Sequence, residues 1–278
     1  MNIDGQITLD GVGSHEQAPL IMRRAFAPFT WLKRHPFPVK AHFRRSLVLT
    51  YALPQEILKL LLPPGLTLDT YDGFGFVAIA MVQTERLRPA FLPAALGQNF
   101  FLAGYRIFVR FKTSSGRTLR GLRILRSYTD RPLMVFAGNQ LTHYNYRLAR
   151  VSIHETPGQL EIKTTTPAGE ADLYVRADLT DAPVTLPEGS PFADLHAARL
   201  FAGPLPYTFD YEEPTHSIVL IEGVRREWKP KLVNVEVAKN NFFNDPIFGG
   251  FTPILANAFQ IENIDYLWKR GIRERLPR

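Results

Sequence analysis

The sequence predicts a mainly β protein, an antiparallel barrel or sandwich. Segments in which apolar and polar residues alternate recur from Phe43 to Trp268, and turn signals rich in Gly, Pro and Asp separate them. No rhythm of strand, long helix and strand interrupts the series, and only about three short helices stand out.

Taken in order, residues 1–20 are polar, glycine-containing and aperiodic, and read as a loose arm. Residues 21–42, IMRRAFAPFTWLKRHPFPVKAH, mix basic and aromatic side chains. Pro28, Pro36 and Pro38 argue against a long amphipathic helix, so an arm packed along the body or across a subunit interface is expected. Phe43 to Tyr51 reads as a strand, and Pro54 opens a short helix, PQEILKLLL, that Pro63-Pro64-Gly65 stops. Leu66 to Asp69 and Phe74 to Thr84 read as strands around Tyr71-Asp72-Gly73, a hairpin signal. Residues 87–101 are rich in proline and alanine and read as a long loop, a lid or wall over a site. Gly104 to Lys112 and the strand from Leu119 make a second hairpin across Ser114-Ser115-Gly116. A turn at Thr129-Asp130-Arg131-Pro132 leads into an apolar run, Leu133 to Ala137. Strands follow at Val151–His154, Leu160–Thr166 and Leu173–Leu179. Ser190-Pro191 is an N-cap with proline at the first helical position, so a helix is expected from there to about Phe201. Ser217–Arg225, Lys231–Val237 and Ala256–Trp268 complete the strands.

Composition narrows the function. The 278 residues are 45% hydrophobic and 21% charged, enough for a sizeable core, with no internal repeat. There is no cysteine, which excludes disulfides, thiolate metal sites and cysteine nucleophiles. No apolar stretch approaches the roughly 18 residues a membrane helix needs. The N-terminus lacks the basic and apolar regions of a signal peptide, so a soluble, cytoplasmic protein is expected, with no membrane partner. The net charge of +7 comes from 33 Lys and Arg against 26 Asp and Glu spread along the chain. Nucleic-acid binders gather their charge on one face or tail, so nucleic acid is not the expected partner.

No nucleotide, phosphate-loop, metalloprotease, calcium or serine-hydrolase motif is present, and the seven histidines form no close ligand pair. Neither a cofactor nor a metal is expected. Lys239 lies in the most apolar surroundings of any lysine, a setting in which the side chain more often reaches out to water than acts as a nucleophile. The cluster that stands apart is Thr142, His143, Tyr144, Asn145, Tyr146 and Arg147, set between apolar runs. Pockets place a few polar groups in an apolar wall, which makes this stretch the candidate site; edge-of-core residues with satisfied hydrogen bonds are the alternative.

Three stretches, FRRSLVLTYALPQEILKLLLPPGLTLD, RGLRILRSYTDRPLMVFAGNQLTHYNYRLA and ILANAFQIENIDYLWKR, resemble the acetoacetate decarboxylase-like superfamily, and within it a bacterial domain family of unknown function. The resemblance implies a large antiparallel β-barrel or cone with a few short flanking helices, an internal pocket and a homo-oligomer. It divides the chain into an N-terminal arm, 1–40, and a single barrel domain, 41–278. In the decarboxylases a Pro-Lys-Lys run supplies a Schiff-base lysine and a neighbour that lowers its pKa. Over that run lie Tyr144 to Leu148, with Tyr146 and Arg147 at the lysine positions. The family's substrate-binding arginine falls on Arg44, and its glutamate falls near Phe76, inside an apolar strand.

Two functional readings follow. In one, the barrel binds a small keto or hydroxy acid without a Schiff-base lysine, through Arg44, Tyr144 and Arg147. In the other, it is an enzyme of altered lyase or proton-transfer chemistry, with Arg44 and Arg147 on the carboxylate and His143 or Tyr146 moving protons. Whether chemistry occurs is left open by the residues.

Overall fold

The computed structural model describes residues 30–203 and 205–277, so most of the arm expected over 1–40 lies outside the described residues. The strongly β-branched and aromatic runs become long strands. β1 (Val39–Pro54), β2 (Leu66–Leu68), β3 (Phe74–Pro89), β4 (Gln98–Lys112) and β5 (Thr118–Thr129) come first. β6 (Tyr146–Leu148), β7 (Arg150–Thr156), β8 (Gln159–Thr165), β9 (Leu173–Asp178) and β10 (Tyr207–Glu212) follow. β11 (Ser217–Arg225), β12 (Lys231–Leu232), β13 (Val235–Asn240), β14 (Ile254–Trp268) and β15 (Ile272–Arg275) end the chain. Three α-helices join them: α1 (Gln55–Lys59), α2 (Pro132–Leu141) and α3 (Leu195–Phe201). Among the described residues, no helix is long and apolar enough to cross a membrane.

Seven strands pair in the order β14, β1, β3, β4, β5, β10, β11, and β11 returns to β14 through Gly223–Trp268, Val224–Leu267 and Arg225–Tyr266. Closing the ring removes the open edges that a sheet of this length would otherwise expose. A second sheet, β7, β8, β9 and β13, packs on one face of the wall. There Leu47, Leu49, Ile79 and Ile107 meet Leu160, Ile162 and Val175 in one core. On the other face Val48, Ala78, Ala80 and Phe108 form a second core with Phe192 and Ala198. Strands covered on both faces need unbroken apolar runs, which is why LVLTYAL and FVAIAMV scarcely alternate.

Among the described residues the pairing is antiparallel with two exceptions: β6 and β10 each run parallel to β5. Parallel neighbours require a crossover, and α2 supplies it between β5 and β6. Thus the chain holds one strand–helix–strand unit that alternation alone did not signal. The long loop expected over 87–101 is shorter than that. Leu87 still pairs with Gln98, and the connection reduces to a tight link containing one 3₁₀ turn, Ala94–Leu96. The link closes tightly because Gly97 lies against the Arg86 backbone, where a Cβ would collide. The 71–74 turn forms, with Asp72 and Gly73 both at positive φ and Tyr71 paired to Phe74, yet β2 leaves it to pair with β4. The expected helix from Ser190 begins later, at Leu195. Asp194 caps it by accepting from the Ala197 amide, while the Ser190 hydroxyl donates to the Ala256 carbonyl.

Candidate functional site

All seven ring strands contribute side chains to one cavity of about 360 Å³. That is within the size range of small-molecule sites. Apolar residues dominate its wall, among them Val48, Ala80, Val82, Phe108, Ile124 and Phe259. Three arginines, Arg88, Arg106 and Arg225, reach it, and no aspartate or glutamate lines it among the described residues.

Two of these arginines have partners. Arg88 donates to the carbonyls of Leu92 and Arg86, at 3.1 and 2.8 Å. Arg225 donates to the Tyr266 hydroxyl at 3.0 Å and lies over the Trp228 ring, 4.2 Å from its centre. Arg106 differs: its Nε is buried without a hydrogen-bond partner among the described residues. Burial lowers the Arg106 pKa from the ordinary arginine value, while the phenols of Tyr266, Tyr144 and Tyr146 oppose that fall. A partly buried guanidinium whose Nε is shut away from water without a hydrogen bond is costly, so Arg106, facing the cavity, is the feature that most needs a functional reason.

Glycines make room for this group. The Arg106 guanidinium folds over Gly104, the Tyr146 ring rests on Gly138, and the Tyr266 hydroxyl abuts Gly223; a Cβ at any of the three would collide. Gly138 sits inside α2, where glycine is otherwise unfavourable by about 1 kcal/mol. Asn139 then clamps the Tyr146 backbone from both sides. Its Oδ1 accepts from the Tyr146 amide at 2.8 Å, and its Nδ2 donates to the Tyr146 carbonyl at 2.9 Å. Thr142 ends the helix by donating to the Gly138 carbonyl, and Asn145 takes the left-handed conformation that swings the chain into β6.

The Thr142–Arg147 cluster divides by alternation. Thr142, Tyr144 and Tyr146 line the cavity. Their rings, 6.3 Å apart for the two tyrosines, stand near Arg106. Burial pushes the Tyr146 hydroxyl up to about 12 and the Tyr144 hydroxyl well above its usual range. His143 and Arg147 fall outside the lining. Burial lowers the His143 pKa; Glu212 opposes this while Lys33 and Arg34 add to it, and its Nε2 is buried without a partner. Arg147 stands opposite Tyr128 in the β5–β6 pairing and reaches Glu170 at 4.0 Å.

Arg44 also lies outside the lining. Against β3 the register of β1 shifts by one between Phe43 and Arg45, so Arg44 is the extra residue of a bulge. Bulges re-aim side chains, and this one turns Phe43 and Ser46 to the cavity. Arg44 points outward, where it bonds Gln83 at 2.8 Å and Glu155 at 2.7 Å. Lys239 pairs with Asp172 at 2.7 Å, half exposed. The sequence reading did not single out Arg106, Arg225, Tyr266 or Asp210. Asp210, on β10 next to the tyrosines, is fully enclosed; burial raises its pKa to about 7, partly offset by Arg123, and its Oδ2 has no partner.

The comparisons agree with this architecture. No curated protein matches the chain. Acetoacetate decarboxylase from Legionella pneumophila superposes with a TM-score of 0.59 at 12% identity, over 86% of this chain and 87% of that one. An acetoacetate decarboxylase-like enzyme from Sphingomonas wittichii RW1 gives 0.55 at 15% identity, over 86% and 92%. The enduracididine biosynthesis enzyme MppR, in complex with pyruvate, gives 0.56 at 12% identity, over 86% and 90%. At these identities the likeness is one of fold. The model of DUF2071, described as "Uncharacterized conserved protein (COG2071)", matches residues 40–249, and the chain belongs to that family, built on an acetoacetate decarboxylase-like fold.

Proposed function

We propose that this protein binds an organic acid in the ring cavity, its carboxylate received by Arg106 and the phenols of Tyr144, Tyr146 and Tyr266. The observation that carries the reading is the guanidinium with a buried, unpartnered Nε, in a cavity that no carboxylate lines among the described residues. A ligand anion supplies the missing charge, and an arginine fork matches a carboxylate better than any other side chain does. The pyruvate bound by MppR, on a similar fold, supports an organic acid as the ligand class. None of the chain's lysines is among the lining residues, so the reading includes no Schiff base. The resemblance to the decarboxylases puts Tyr146 over their nucleophile position, and its phenol would offer a hydrogen bond there.

A second reading, proton transfer on the bound acid, is favoured by one observation. Asp210, which stands behind the lining rather than in it, combines a pKa raised to about 7 with proximity to Tyr144 and Tyr146, so a proton would pass between it and the ligand by way of those phenols.

Thermal unfolding with a panel of carboxylic acids and their uncharged amides tests the first reading. Ligands that bind the native state raise the midpoint by mass action. The expected result is a rise with an acid, none with its amide, and none with Arg106→Gln. Equal rises with acid and amide would overturn the carboxylate assignment.

A further inference from the structure

The shape of the cavity narrows the class of acid. Along β4 the lining runs through Gln98, Phe100 and Leu102 to Arg106, whose guanidinium lies over Gly104. Along β3 it runs through Ala78, Ala80, Val82 and Thr84. Six residues of strand separate Gly104 from Gln98, which at about 3.4 Å each is roughly 20 Å. Leu96 and Leu133 belong to the lining yet are 60% and 56% exposed, so the cavity opens between the 90–97 link and the first turn of α2. Phe91, exposed and packed edge-on to Phe37, extends the apolar surface on the link side.

Of the three lining arginines, one has an open donor. Arg225 is held by Tyr266 and Trp228, and Arg88 by backbone carbonyls, which leaves Arg106 as the lining arginine whose Nε lacks a partner. A keto acid of two or three carbons bound there leaves most of the apolar wall facing water, which the hydrophobic effect disfavours.

We infer that the acid this cavity takes is a monocarboxylic acid with a long or bulky apolar body, its carboxylate at Arg106 and its body directed along β3 and β4 toward the opening between Leu96 and Leu133. The inference rests on the Arg106 reading above and goes beyond it by naming the ligand class.

Calorimetric titration with acetate, butyrate, hexanoate, octanoate and decanoate, beside pyruvate, lactate and decanol, tests it. The expected result is an affinity that climbs roughly fourfold for each methylene buried. Decanol is expected to bind at least tenfold more weakly than decanoate. Ala137→Phe, which fills the wall from α2, is expected to weaken decanoate more than tenfold. Tightest binding by pyruvate or lactate, with no gain along the series, would overturn the ligand class and leave the Arg106 reading standing. Decanol binding as tightly as decanoate, or decanoate binding unchanged in Arg106→Gln, would overturn the Arg106 reading. Binding by none of the acids would overturn both.

Discussion

Replacing Asp210 by asparagine should remove a pH dependence of stability that this one residue imposes. Asp210 is enclosed on β10, and burial holds its folded pKa at about 7 against an ordinary value of 3.8. A carboxyl whose folded pKa is raised contributes stability that is fully present below the unfolded pKa and is lost as pH rises through 7. The gap corresponds to roughly 4 kcal/mol at full ionisation, and more than half of that falls between pH 5 and pH 8. Asparagine keeps the shape without the charge. Urea unfolding of both proteins at pH 5, 6.5 and 8 is the assay, and the asparagine variant should gain on wild type as pH rises, by about 2 kcal/mol or more at pH 8 relative to pH 5. His35 acts in the opposite sense in both proteins. Burial lowers its pKa from 6.5 to about 4, so its contribution is present above 6.5 and lost as pH falls toward 4. Because that slope is common to both, the difference between them isolates Asp210. Parallel stability curves for the two proteins would refute the assignment of a buried, protonatable carboxyl at this position.

Gly138→Ala should destabilise the fold by about 1–3 kcal/mol in denaturant unfolding, because the new methyl runs into the Tyr146 ring. On helix propensity alone the change would stabilise by about 1 kcal/mol, so the sign decides whether the close approach exists. Asn139→Ala removes both bonds to the Tyr146 backbone and should cost about 1–3 kcal/mol and weaken acid binding severalfold, read by calorimetry. Arg44→Ala should leave acid binding within twofold of wild type and stability within about 1 kcal/mol, since its partners Gln83 and Glu155 lie outside the cavity.

The β-rich class was legible because strand-forming runs and turn residues are local signals, and the long strands β1, β3, β4 and β14 contain the stretches those signals mark, although β1 and β4 begin four and six residues earlier and β3 runs five further. Ring closure came from the resemblance alone, since β11 meets β14 some forty residues later in the chain and no local pattern records that pairing. Nor was α2: Gly138 sits at its centre for the sake of a residue eight positions on, which overrides helix propensity. The Thr142–Arg147 stretch stood out by composition, but which of its side chains reach the cavity depends on a non-strand bend with Asn145 at positive φ, and no local pattern marks it. Arg106 was hidden by strand alternation. In GYRIFVRFK it shares a face with Arg110, yet Arg110 is exposed and paired with Asp69 while Arg106 is enclosed. Only the closed ring distinguishes the two. The available signal was Gly104, a glycine on the same face two residues before an arginine. Arg44 was placed by resemblance to the decarboxylases, and a one-residue bulge changed the direction of its side chain.

The most direct test of the account is Arg106→Met, with apo stability and acid binding measured on the same preparation. A partly buried guanidinium with no carboxylate partner among the described residues costs stability, so an apolar replacement of similar length should raise apo stability by about 1–4 kcal/mol while acid binding is lost. A variant less stable than wild type that still binds the acid would show Arg106 to be a structural cation, and would contradict the account.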